Sequence, residues 1–285
     1  MGGKVSDMIP TVERAILDGK SVAIDNTNLV KEARALFIQL AKRHHLPVIG
    51  YYFNTTIEDC QIRHVRRMYQ KFGKIYFEGK GINDPHCFEP VVFFNARKRL
   101  EVPSKEEGFT ELHVVDVPSP IDYFSASNGY VNKALFLDID GTIRETEHLT
   151  HKYPVRESEV TLLKDVDLMR KRLDDYRKKG FQLIGVSNQS GIAKGTVTKD
   201  QVERCFARTR ELLGYTEDEF PILYCPHRSV PISCYCRKPQ TGMIMDCVLK
   251  MKLDPRKCLM VGDRTTDQTF ATRAGVPYLN VTQFW

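Results

Sequence analysis

The sequence predicts an α/β protein built on parallel sheets, in two successive regions. Short apolar runs at residues 134–137, 181–186 and 258–261 alternate with stretches of helical periodicity, the order expected of strand–helix–strand units. Each run gives way to a polar cluster, as buried parallel strands do where their carboxyl ends face a ligand crevice. A third observation divides the chain. Residues 116–129 gather Pro118, Pro120, Ser119, Ser125, Ser127 and Gly129, which is linker chemistry. The boundary is placed there, giving regions 1–124 and 125–285.

The first region reads as helix (11–17, ended by Gly19), strand (21–24, leading into Asp25 and Asn26), helix (31–44) and strand (47–53). Ala33, Leu36, Phe37 and Leu40 set the helical spacing of the second helix. Thr56 and Asp59 form a capping pattern for a helix that carries Arg63, His64, Arg66 and Arg67. The second region opens with strand 134–137. A flap over residues 141–153 follows, then a long charged helix over 158–179 and strand 181–186 with Ser187 at its tip. Helix 198–213, strand 222–224, helix 240–251, strand 258–261, helix 267–274 and a last strand over 276–281 complete it.

The 285 residues suffice for two domains of ordinary size. No apolar run approaches a membrane span, and the N-terminus lacks the layout of a signal peptide. The net charge of +6 suits an anionic substrate without demanding one. Of eight cysteines, Cys60, Cys87, Cys205, Cys247 and Cys258 are scattered, while Cys225, Cys234 and Cys236 cluster with His227. That pattern predicts a metal site in a reducing, intracellular compartment (nucleus or cytoplasm) rather than a disulfide framework.

Two carboxylates, Asp138 and Asp140, stand at the end of the first strand of the second region, on one side of the extended chain, with Ile139 turned away. Taken alone, D-x-D-G-T is also an ordinary strand-to-loop transition. Ser187, Lys238 and Asp263 add a hydroxyl, an ammonium and a further carboxylate at later turns. Cys225, His227, Cys234 and Cys236 offer three thiolates and one imidazole, a closed tetrahedral set suited to structural zinc. Three buried cysteines that happen to lie close together are the alternative.

This set and order resemble the haloacid dehalogenase phosphatase superfamily. The resemblance implies a Rossmann-like parallel sheet without a large cap, since the gaps from Asp138 to Ser187 and from Ser187 to Lys238 are filled by ordinary elements. It implies Asp138 as nucleophile, Asp140 as general acid and base, Ser187 and Lys238 on the phosphate, and Mg²⁺ held by Asp138, the Asp140 backbone carbonyl and Asp263. Asp267 is read either as an outer residue orienting Lys238 or a metal water, or as an acid favoured at a helix start. Asn188 and Arg237 are substrate-contact candidates. The run from Ser187 to Gly195, the cysteine loop and the stretch from Cys236 to Met243 resemble the histidinol-phosphatase and heptose-bisphosphate-phosphatase branch. That branch often carries Arg where Ile139 stands.

The first region resembles the kinase domain of polynucleotide kinase 3′-phosphatases, through the stretch from Gly19 to Asn28, then Glu58, Arg63, Arg66, Arg67 and Glu107. The resemblance implies a phosphate lid at Arg63 and Arg66 or Arg67. The phosphate-cradling G-x-x-x-x-G-K-[ST] is absent from this sequence, and Gly2, Gly3 and Lys4 do not replace it. The region therefore reads as a partial P-loop-kinase-like domain without kinase activity. Arg63, Arg66, Arg67, Lys71 and Lys74 are interleaved with Tyr69 and Phe72, which suits single-stranded nucleic acid or, equally, a solvated helix face. Three functions follow from these readings. The first is a 3′-phosphatase on polynucleotide ends, as in nucleic-acid repair. The second is a phosphatase of a sugar or histidinol phosphate. The third is a nucleic-acid-binding protein without catalysis, which the complete catalytic set opposes. Neither a membrane partner nor an oligomeric state is indicated.

Overall fold

A computed structural model of the chain describes residues 5–80, 83–147 and 152–285. Gly2, Gly3, Lys4 and the middle of the expected flap, 148–151, lie outside them. Two compact units emerge: Met1–Cys60 with Val91–Pro118, and Gln61–Pro90 with Ser119–Trp285. A single cut at residue 124 thus differs from the contacts, which group 61–90 with the later residues.

The first unit holds helices α1 (Val5–Leu17), α2 (Lys31–Arg43) and α4 (Val91–Arg99) and a parallel pair of strands, β1 (Ile49–Asn54) and β2 (Glu111–Asp116). Arg34 of α2 is buried and grips Glu107 with two hydrogen bonds, Nε to Oε2 and Nη2 to Oε1, each 2.7 Å. A planar fork on a carboxylate fixes both groups in one orientation. Residues 21–24, expected as a strand, are irregular here. No described strand pairs with them, and an apolar run without a ladder partner leaves its backbone groups to water.

In the second unit, five parallel strands run in the order β5-β4-β3-β6-β7. They are β3 (Lys133–Leu137), β4 (Phe181–Asn188), β5 (Ile222–Cys225), β6 (Leu259–Gly262) and β7 (Tyr278–Asn280). Residues Ala134–Leu137 of the central β3 are fully buried, which explains the unbroken apolar run. Leu135, Leu137, Ile139, Met169, Leu173, Val202, Phe206 and Val261 belong to the core packed around this sheet. Helix α5 (Val166–Lys178) is shorter than the expected 158–179. Asp165 caps it by accepting from the amides of Asp167 and Leu168, and Leu162 is instead drawn into a bridge with Arg144. Helices α6 (Ser190–Lys194), α7 (Lys199–Leu213), α8 (Gly242–Met251) and α9 (Thr265–Arg273) follow between and after the later strands. No second sheet is inserted between the strands among the described residues.

The segment Gln61–Pro90 begins inside helix α3 (Ile57–Phe72), where Ile62, Val65 and Met68 are buried. Arg66 lies with its guanidinium 3.3 Å from the centre of the Tyr123 ring. Arg63 is half-buried and Arg67 is exposed. None of the described helices is long and apolar enough to cross a membrane.

Candidate functional site

The carboxyl ends of β3, β4, β5 and β6 lie side by side, and Asp138, Asp140, Ser187, Lys238, Asp263 and Asp267 gather there, whereas Arg63, Arg66 and Arg67 of the same unit stand on α3. Asp138 follows β3, and its amide donates to Val261 of β6 (2.9 Å), so the strand pairing carries the nucleophile candidate to the sheet's edge. The chain must then turn sharply. Gly141 takes φ +93°, and a Cβ there would lie 2.6 Å from Asp263 Oδ2, so only glycine allows this approach. Trp285 Nε1 donates to the Thr142 carbonyl (2.7 Å) and braces the same turn.

Lys238 is the centre of charge. It is 4% exposed, its Nζ is paired with Asp138 Oδ1 and Asp267 Oδ1 (the latter at 2.7 Å), and it donates to the Val186 carbonyl at 2.9 Å. Burial opposes its charge, but the two carboxylates outweigh that and hold the ammonium above its ordinary range. Burial pushes the Asp138 carboxyl up to about 7, against the pull of Lys238. Asp267 combines both sequence expectations: it pairs with Lys238, and its Oδ2 accepts from the Arg264 amide (3.2 Å) at the start of α9.

Asp140 is held by three donors. Arg144 Nε reaches Oδ1 at 2.8 Å, Gln189 Nε2 reaches Oδ2 at 2.7 Å, and Ser187 Oγ donates to Oδ2 at 3.3 Å. The Arg144 side chain is 2% exposed, and its guanidinium carbon lies 5.1 Å from the centre of the Phe206 ring. Arg144 and Gln189 were not singled out in the sequence, although both stand within runs that were. Asn188 spends both ends of its amide on the Lys238 backbone, accepting from N and donating to O at 3.0 Å each. Arg237, the other substrate-contact candidate, donates to the His227 carbonyl at 3.1 Å.

Among the described residues, two groups of side chains could hold metal ions. The first is Asp138, Asp263 and Asp267, whose carboxylate oxygens lie within 4.8 Å of one another. Asp263 Oδ1 is buried without a hydrogen-bond partner among the described residues, an oxygen that a bound cation would satisfy. Three carboxylates against one buried ammonium leave excess negative charge, and oxygen-only donors suit Mg²⁺. The second group is Cys225, His227, Cys234 and Cys236, also within 4.8 Å. His227 Nδ1 is 3.4 Å from Cys225 Sγ and 3.3 Å from Cys236 Sγ. Hydrogen bonds from Cys225 and Cys236 hold the Cys234 thiol well down, and that sharing pushes the thiols of Cys225 and Cys236 up. Four soft donors with no cation of their own fit a zinc ion.

The cysteine loop is fastened at both ends to β4. Cys225 pairs with Asn188 in the sheet and accepts from the Gln189 amide at 2.7 Å, while Lys238 is held by Asn188. Its position fixes the ammonium that the carboxylates share.

Residues 235–283 match the HAD-hydrolase-like family model, and residues 5–80 match an AAA-domain model. The chain is 35% identical over 147 residues to the D-glycero-beta-D-manno-heptose-1,7-bisphosphate 7-phosphatase of Haemophilus influenzae, covering 48% of this chain and 74% of that protein. The enzyme of the same name from Escherichia coli K12 is 33% identical over 153 residues, covering 50% of this chain and 75% of that one. Among solved structures, a HAD-like phosphatase from Mesorhizobium loti is similar, with 31% identity, a TM-score of 0.44 and coverage of 51% of this chain and 69% of that one. With 35% identity across 74% of the Haemophilus influenzae phosphatase and the HAD-hydrolase-like match over 235–283, this chain belongs to the haloacid dehalogenase-like phosphatases, with an AAA-type α/β region in its first part.

Proposed function

We propose that the chain is a phosphomonoesterase that removes 3′-phosphates from polynucleotide ends through an aspartyl-phosphate on Asp138. The observation that carries the chemistry is the pairing of one buried lysine with both Asp138 and Asp267 beside the unsatisfied oxygen of Asp263. With Oδ1 on Lys238, Asp138 attacks phosphorus through Oδ2. The new O–P bond forms as the ester O–P bond breaks, and the departing alkoxide takes a proton from Asp140. Asp140 then accepts a proton from the water that displaces phosphate from Asp138. To reach the substrate, Asp140 exchanges one of its present donors, Arg144, Gln189 or Ser187, for the leaving oxygen. Lys238 and Ser187 supply positive charge and a hydrogen bond to the phosphoryl oxygens. Mg²⁺ bound by Asp138, Asp263 and the Asp140 backbone carbonyl would neutralise the rest of the phosphoryl charge. The cysteine loop with zinc would hold Lys238 in place.

The polynucleotide substrate is supported by the pairing of the phosphatase with an AAA-type region and by the basic helix bearing Arg63, Arg66 and Arg67. Among the described residues no second sheet is inserted between the strands, which supports an open site able to take a large substrate. A second reading, a heptose bisphosphate or similar small phosphate, is favoured by the identity to heptose-bisphosphate phosphatases across the second half. The test is phosphate release with Mg²⁺ from a 3′-phosphorylated oligonucleotide, heptose 1,7-bisphosphate and histidinol phosphate, with Asp138→Asn as the blank. A preference for the oligonucleotide of about a hundredfold or more in kcat/KM, roughly 2.7 kcal/mol, is the expected outcome. A preference for either small phosphate would replace the first reading with the second.

A further inference from the structure

The cysteine loop is clamped from outside by the segment Gln61–Pro90, which is distant in sequence and joins the same compact unit. Three contacts make the clamp. Glu78 Oε1 lies 2.7 Å from His227 Nε2. The Tyr235 amide donates to the Phe77 carbonyl at 2.7 Å. The Tyr235 hydroxyl donates to the Phe88 carbonyl at 2.7 Å. Tyr235 sits between Cys234 and Cys236, is 1% exposed, and has the His64 ring 5.6 Å from its own.

The contact with His227 has a chemical consequence. An ionised carboxylate only accepts hydrogen bonds, so Glu78 places the imidazole proton on Nε2. The Nδ1 lone pair is then left for the interior of the thiol cluster, which is where Nδ1 points. The opposite tautomer would aim a proton at the cation site and a lone pair at the carboxylate. We propose that Glu78 is the positioning residue of the Cys225–His227–Cys234–Cys236 centre: it selects the ligating tautomer of His227 and governs how tightly the centre holds its ion. The phosphatase centre therefore depends on a residue outside the contiguous second half, in the part of the chain that matches an AAA-domain model. This inference rests on the zinc reading above.

Outer carboxylates of this kind change metal affinity by about 10–100-fold when removed. Four proteins decide the matter: the wild type, Glu78→Leu, Glu78→Gln and Tyr235→Phe, each spanning residues 1–285. Each is measured for zinc content as purified, for the rate of zinc transfer to a chromophoric chelator, and for the visible spectrum of its Co²⁺-substituted form. The expected result is one zinc in wild type, with transfer about 10–100-fold faster in Glu78→Leu and a shifted Co²⁺ spectrum. Glu78→Gln, whose amide oxygen still accepts from Nε2, should recover most of the wild-type behaviour. Tyr235→Phe keeps His227 and Glu78 untouched, so its thermal midpoint should fall while its zinc transfer stays near wild type. Equal transfer rates and spectra in wild type and Glu78→Leu would overturn the role of Glu78 while leaving zinc in place. Cysteine-loop protein that takes up neither zinc nor Co²⁺ in wild type would overturn the zinc reading and this inference together.

Discussion

The unit that carries the site contains two compact knots of polar side chains, and they are balanced in opposite ways. The carboxylate knot of Asp138, Asp263 and Asp267 contains its own cation, Lys238, and hangs from the central strands β3 and β6. The thiol knot of Cys225, His227, Cys234 and Cys236 contains none and is built on a loop. Buried charge of one sign is tolerated only with a partner. The first knot can therefore fold before its ion arrives, whereas the second needs an ion or must keep its thiols protonated. The two are joined in series, because the loop that ends the thiol knot delivers Lys238 to the carboxylates. A metal at the first knot would serve chemistry, and one at the second would serve position.

Removing the internal cation breaks this contrast most directly. In Lys238→Met, Asp138 and Asp267 stay buried without an ammonium. Breaking a buried pair costs about 3–5 kcal/mol, and losing one charge-stabilising donor costs about 10²–10³ in kcat. Thermal unfolding with and without Mg²⁺ then tests the balance. The variant should gain more from Mg²⁺ than wild type does, because an added cation replaces the missing one. An equal gain in both would mean that Lys238 and the metal do not share one field.

A smaller effect separates position from contact. Asn188→Leu removes both hydrogen bonds on the Lys238 backbone and leaves the thiol knot in place. Two such bonds amount to roughly 1–3 kcal/mol. The expected outcome is a fall of about tenfold in kcat with KM little changed. A rise in KM with kcat preserved would return Asn188 to the role of substrate contact expected from the sequence.

Residue type and order pointed to both knots: apolar runs ending in Asp, Ser or Gly-Asp mark the strand ends of the first, and the close spacing of Cys225, His227, Cys234 and Cys236 marks the second. The partners of those residues were much less visible. Arg144 is only four residues from Asp140, yet its burial depends on Phe206 and Thr209 in α7. Gln189 acts on a carboxylate 49 residues away, and Glu78 acts on a histidine 149 residues away. Residues 21–24 failed as a strand for the same reason: apolar character gives the propensity, but a ladder needs a neighbour that sequence pattern alone does not name. The stretch before α5 failed differently, because the Asp165 cap outweighed helical continuity that charge pattern had suggested. At the far end of the expected flap, Tyr153 Oη accepts from Arg264 Nη2 at 3.1 Å, a partner 111 residues away that the spacing does not name.

The smallest effect concerns the outer clamp on the thiol knot, through His64. Its ring is 3% exposed and lies 4.1 Å from that of Phe88. Burial, with Arg67 and His86 adding to it, lowers its pKa from 6.5 to about 4, against a hydrogen bond that the ring donates to the Phe88 backbone, which raises it. The unfolded chain therefore takes up a proton near pH 6.5 that the folded chain refuses until about pH 4. The stability this neutral ring contributes is complete above pH 6.5 and is lost as pH falls through that window. Carboxylates titrate in the same range, so the informative quantity is the difference between wild type and His64→Phe. Urea midpoints at pH 7.5, 6, 5 and 4 should show the variant losing less stability than wild type on acidification, with the gap widening most between pH 6 and 4. Parallel curves would mean that His64 is protonated in the folded protein and that the clamp on Tyr235 tolerates a charge.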